Sequence, residues 1–201
     1  MMKWGIGALV LGALIWYQTS RAPVSPAPGE LAPQEPGQLA LSREEPPIQI
    51  QGWTLKPLAW FDIQARVLSK ERYTGDFPSP LAPYDLALGW GPMSDTVVLE
   101  KLDITQNNRN YHWRYWGTSP IPEAEINRHS ANMHLIPASP AVAETIAAFH
   151  IGSVVKLTGY LVEASHPQAS HPWRSSLTRE DTGQGSCEII YVKFAQEIGD
   201  K

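Results

Sequence analysis

Between Leu58 and Leu68 the chain reads LAWFDIQARVL, which puts Phe61, Ile63, Ala65 and Val67 on one side of an extended backbone and Asp62, Gln64 and Arg66 on the other. A period of two is the mark of a strand with one buried face, because a helix would scatter the same apolar residues around its circumference. The pattern returns in IQIQGWTL from Ile48 and in SVVKLTGYLVEA from Ser153. It returns again where Tyr111, Trp113 and Tyr115 alternate with His112, Arg114 and Trp116. SANMHLIPA reads as a short strand ended by Pro137, and WRSSLT and CEIIYVKF flank the turn REDTGQG as a hairpin or looped strand pair. One stretch departs from the rule. SPAVAETIAAFHIG predicts a helix, with Ser139 as cap, Pro140 at the first helical position, Val142, Ile146 and Phe149 at helical spacing, and Gly152 beyond the end. A helical turn closed by Gly89 and Gly91 is expected within Ser79–Asp95, and VVLEKL fits either a strand or a helix capped by Ser94 or Asp95. Six or seven strands and one good helix predict a mainly β, α+β fold: a small antiparallel barrel or curled sheet with one packed helix.

The rest of the chain is organised differently. Lys3 precedes an uninterrupted apolar run from Trp4 to Tyr17, bracketed by Trp4, Trp16 and Tyr17. As a helix this run covers about 21 Å, short of a hydrocarbon core of about 30 Å. The small residues that a signal peptidase needs are followed by proline, whereas the flanking aromatics suit an interface. Residues 1–21 are therefore expected as an uncleaved membrane anchor, with a cleaved signal as the alternative. Seven prolines within 22–47 predict a semi-rigid, polyproline-like spacer. The domain proper then spans 48–201. Hydrophobic residues make up 43% of the chain, and six of its eight tryptophans fall in this domain and suit a core, while the net charge of −4 argues against a nucleic-acid partner. Cys187 is the only cysteine, so no internal disulfide forms.

The order strand with a central glycine, loop, strand, Asp-x-Gly turn, strand in the last third resembles the first three strands of an oligonucleotide/oligosaccharide-binding (OB) barrel. A fold analogy of this kind transfers no function. Taken together, DLALGWGPMSD, RNYHWRYW, SANMHLIPA and WRSSLTREDTGQGSCE resemble a family of bacterial single-domain proteins that carry an export or anchor segment and have no assigned activity. That resemblance implies a bacterial origin and an exported location, and lends no catalytic residues. The expected place is the bacterial inner membrane, single pass, with the domain facing the periplasm, or secretion after signal cleavage.

Two sets of residues stand out as candidate sites. The first is polar: Asn132, His134, Arg179, Asp181, Cys187 and Glu188. A cysteine nucleophile needs a histidine to hold it as thiolate and a third group to orient the ring, and His134, His166 or His171 with Asp181 or Glu188 would serve. The competing reading buries Cys187 as a small hydrophobe and makes the others a network that fixes the fold. The second set is a basic and aromatic strip of Arg109, Tyr111, Trp113, Arg114, Tyr115, Trp116 and Trp173, suited to stacking on a ligand, or else simply core. Paired carboxylates, Asp181 with Glu188 or Asp85 with Asp95, are a further possibility for hydrolysis. His129, His134, His166 and His171 lack the spacing of a metal motif, so no metal and no cofactor is expected. The function expected is a membrane-anchored binding or assembly domain of the envelope with a protein or cell-wall partner. The alternatives are a hydrolase or other enzyme using His134 with Cys187 or a carboxylate, and a component of a secretion or conjugation apparatus.

Overall fold

A computed structural model describes residues 22–178 and 187–198. The spine of the fold is a single strand of 20 residues, β3 (Trp53–Arg72), which takes in the end of IQIQGWTL and all of LAWFDIQARVL. Only Ile48–Ile50 (β2) is separate, folded back on β3 through Gln51 and Gly52 at φ 50° and 82°. Pro57 lies inside β3 at a register shift against its neighbour, the kind of bulge where a missing N–H costs no ladder bond. β3 pairs antiparallel with β4 (Tyr84–Gly89), and β4 with β7 (Ser130–Pro137). Then β7 pairs in parallel with β10 (Glu188–Ile198), β10 antiparallel with β8 (Val154–Ser165), and β8 antiparallel with β3. The ring closes. A fourth-strand return and one parallel pair make this the connectivity of an OB barrel, with β3, β4, β7, β8 and β10 as its five strands in chain order. The last third of the chain thus supplies the fourth and fifth barrel strands, where the sequence pattern suggested the first three. The short β9 (Trp173–Arg174) pairs with β8 and not with β10, so WRSSLT and CEIIYVKF form no hairpin with each other.

Alternation decides what fills the ring. Phe61, Ile63, Ala65 and Val67 of β3 meet Leu86, Leu88, Met133, Leu135, Val155, Leu157, Leu161, Ile190 and Val192 from the other strands in one buried cluster. The helix α3 (Pro140–Ala148) adds Ile146, with Phe149 just beyond it, to that cluster. It is capped as expected: Ser139 Oγ accepts from Val142 N at 3.3 Å. Gly159 has its reason in β8, since a Cβ there would meet Tyr191 O at 1.9 Å.

Two local expectations change. YDLALG is a strand, not a helical turn, because four apolar or small positions between turn residues suit a buried strand, and the turn comes later as a 3-10 segment at Gly91–Ser94. The first helix, α1 (Thr96–Leu99), settles VVLEKL, with Asp95 accepting from Val97 N at 2.9 Å. β5 (Asp103–Asn107) and β6 (Asn110–Arg114) form a separate two-stranded arm, followed by α2 (Glu123–Arg128).

The Pro-rich segment is no free spacer over its first half. Val24 N donates to Ile151 O at 2.8 Å, Thr96 Oγ1 to Pro26 O at 2.9 Å, Gly29 N to Asp95 Oδ1 at 3.1 Å, and Gly91 N to Ala32 O at 2.8 Å. Prolines lack N–H groups, but their carbonyls still accept, and β1 (Gly37–Ala40) goes on to pair with β3. Among the described residues no helix is long and apolar enough to cross a membrane, and residues 1–21 lie outside them.

Candidate functional site

The same alternation that fills the barrel sends every second residue of β4, β7 and β10 to its outer face. Leu86 and Leu88 point in, so Asp85 points out; Met133 and Leu135 point in, so Asn132 and His134 point out. Asp85 is directly opposite His134 in the ladder, and His134 is opposite Ile189. Cys187, just before β10, lies close enough to Asn132 for Nδ2 to reach its Sγ at 3.8 Å. Ser176 N donates to Cys187 O and Ile189 N to Ser175 Oγ, both at 3.0 Å, which pins the cysteine's backbone.

Asp85 is fully buried and joins two cations. One oxygen accepts from Arg109 Nη1 at 2.7 Å; the other lies 2.9 Å from His134 Nδ1, off the ideal hydrogen-bond line. Burial alone would push the His134 imidazolium down, but the Asp85 carboxylate, and after it the Cys187 thiol, outweigh burial and bring it up to about 9. At neutral pH the ring is therefore a buried cation, with the Trp173 ring 4.6 Å away between centroids. Arg109 comes from the tip of the β5–β6 arm, where Asn108 and Arg109 sit at φ 47° and 65°. A side chain in that left-handed region costs of order 1–3 kcal/mol and persists only when its surroundings over-determine it. Here they do. Arg109 N donates to Tyr73 Oη, its carbonyl accepts from Asn132, and its guanidinium grips Asp76 with two bonds at 2.7 and 2.9 Å. That grip holds the Asp76 carboxyl below the usual carboxylate range, and the guanidinium lies 3.9 Å over the Tyr73 ring.

Of the polar set, Asn132, His134 and Cys187 come together. Glu188 is buried, and alternation turns it to the opposite side of its strand from Ile189; Arg179 and Asp181 lie outside the described residues. Asp85 does not pair with Asp95, which caps α1. The basic and aromatic strip is divided. Arg109 and Trp173 belong to the site; Tyr111 donates to Ser130 Oγ at 3.1 Å, and burial pushes its phenol up to about 12. Trp113 and Tyr115 turn to α2, bonding Asn127 and Glu123. Arg114 pairs with Asp103 and lies 5.2 Å over Trp116, the one strongly exposed ring of the set at 73%. His129 bonds the Glu125 carbonyl and His166 stacks near Trp53, both away from His134, and no group of three metal-ligating side chains occurs among the described residues.

Sequence reasoning missed Asp76, Tyr73 and Gln106, and gave Arg109 to a ligand surface. Asp85 carried a signal: a carboxylate in the middle of an apolar strand must find a cation. Compared with protein-family models, with curated proteins and with solved structures, the chain gives no match.

Proposed function

We propose that this chain is a cysteine-dependent enzyme in which Cys187 is the nucleophile, His134 its proton partner and Asp85 the group that orients and charges the ring. The observation that carries the reading is the placement of Asp85 and His134 opposite each other on neighbouring barrel strands, 2.9 Å apart, with Cys187 at the entry to the next strand, against Asn132 and among the groups that raise the His134 imidazole. An imidazolium beside a thiol makes a cysteine nucleophilic at neutral pH, and the carboxylate behind the ring fixes its direction. Exposure agrees with the roles. Asp85 and His134 are buried, whereas Cys187 is half-buried. The site also lies on the outer face of the second and third barrel strands, between the loops after the first and fourth, which is where OB barrels commonly take ligands. That last support is an analogy of fold.

The test is alkylation of Cys187 by iodoacetamide in the folded full-length chain at about pH 6, well under the ordinary cysteine value of about 8.5. Labelling faster than that of glutathione, and lost in His134→Gln, is the expected result. No labelling until the chain unfolds would make the cluster a structural network and leave the second reading, an extracytoplasmic binding or assembly domain. The exposed Trp116 with Arg114 over it favours that reading. In either case the apolar run of residues 4–17 supports an envelope location, anchored or secreted, with a protein or cell-wall partner.

A further inference from the structure

Asn132 is almost completely buried, and each of its amide atoms is spoken for. Its Oδ1 accepts from Gln106 Nε2 at 2.6 Å, which fixes which way the amide faces. One Nδ2 hydrogen goes to Arg109 O at 3.0 Å; the other is directed at Cys187 Sγ, 3.8 Å away. The same N–H therefore touches the nucleophilic sulfur at rest and lies beside the carbon that the sulfur attacks. It can pass from the sulfur to an oxygen on the attacked carbon, two bonds beyond the sulfur.

We infer that Asn132 is the oxyanion donor of this site and that its substrate is an acyl compound, an ester, thioester or amide. The inference rests on the reading of Cys187 as nucleophile and adds the class of electrophile. In the step it implies, the Cys187 thiolate forms a bond to the carbonyl carbon, and the C=O π pair moves onto oxygen, which takes over the Asn132 N–H that faces the sulfur. As the carbonyl re-forms, the bond to the leaving group breaks, and that group departs with the proton from the His134 imidazolium. The product is a thioester on Cys187 and a neutral imidazole. Water or an amine then attacks the thioester, gives its proton to His134 and restores thiolate and imidazolium. Alkylation and thiol–disulfide exchange create no oxyanion, so in them this donor acts only on the sulfur it already touches.

The difference gives the experiment. Full-length chain is treated separately with p-nitrophenyl acetate, which acylates through a tetrahedral oxyanion, and with iodoacetamide, which alkylates without one. In Asn132→Ala the acylation rate is expected to fall about 100-fold, the usual loss for one oxyanion donor, while alkylation changes far less. Gln106→Glu keeps Asn132 but replaces the donor facing Oδ1 with an acceptor, so the amide flips and takes its N–H off the sulfur. The same selective loss is expected there, which covers the case in which Asn132→Ala does not fold. Equal losses in both reactions, or none, would overturn the role of Asn132. Rapid alkylation of wild type without any acylation would overturn the acyl substrate and leave the nucleophile intact. Resistance to both reagents would instead overturn the nucleophile itself.

Discussion

Asp85→Asn removes the carboxylate and leaves its shape, so it asks what holds a charged imidazole inside this barrel wall. In the wild type His134 rises from its ordinary value of 6.5 to about 9 on folding. At about 1.36 kcal/mol per unit this is worth on the order of 3 kcal/mol. Because the folded value is the higher one, that stability is fully present below about pH 6.5 and is lost as the pH rises through about 9. With asparagine at 85, burial is left without its main opponent, and the ring titrates at or below its ordinary value. The decline between pH 6.5 and 9 should then vanish, even though the variant is less stable for the loss of the bond from Arg109, which keeps its grip on Asp76. The assay is urea unfolding at a series of pH values for both chains. Running it in a Cys187→Ala background keeps the thiol's own titration out of the difference while retaining Asp85, the larger of the two attractions on the ring. Tyr73, Asp76 and Arg109 also face the site, but none of their ordinary ranges falls in this window. Two profiles that run parallel from pH 6.5 to 9 would refute the reasoning, whatever their vertical offset.

Gly152→Ala should release the docked Pro-rich segment: Gly152 sits at φ 93°, and a Cβ would meet Val24 O at 1.9 Å. Limited proteolysis is expected to cut within residues 22–32 much faster than in wild type, with the barrel left intact. Ser139→Ala should lower stability by about 1 kcal/mol through loss of the α3 cap, read as a shift of the urea midpoint at unchanged slope.

The barrel strands were legible because their side chains obey one local rule, and α3 because cap, proline and glycine all agree. Residues such as Met133 and His134 declare opposite faces in the sequence itself. What no pattern along the chain declares is which strands are neighbours across the ring. Asp85 and His134 face each other across 49 positions only because β4 and β7 pair in the observed register. Arg109 is the clearest case. In sequence it begins an aromatic run, and only the docking of a two-stranded arm over the barrel turns it into the partner of Asp85. The Pro-rich segment misled for a related reason: its composition reports the donors it lacks, while its docking relies on the carbonyls it keeps.

The pairing of β3 with β8 sets a timetable as well as a shape. Asp62 stands opposite Thr158, so the first barrel strand meets its closing partner only after roughly a hundred more residues have followed it. At synthesis rates of about 5–20 residues per second, one flank of a long, half-apolar strand waits for several seconds or more. During that interval its backbone donors and acceptors are open to any passing strand, in this chain or another. β1 and β2, both encoded just ahead of β3, pair with its other edge, since Asp62 and Leu55 each have a partner there and a partner in β8 as well. Of the two edges of β3, one is thus covered early by its sequence neighbours, and only the seam facing β8 stays open until the late strand is made.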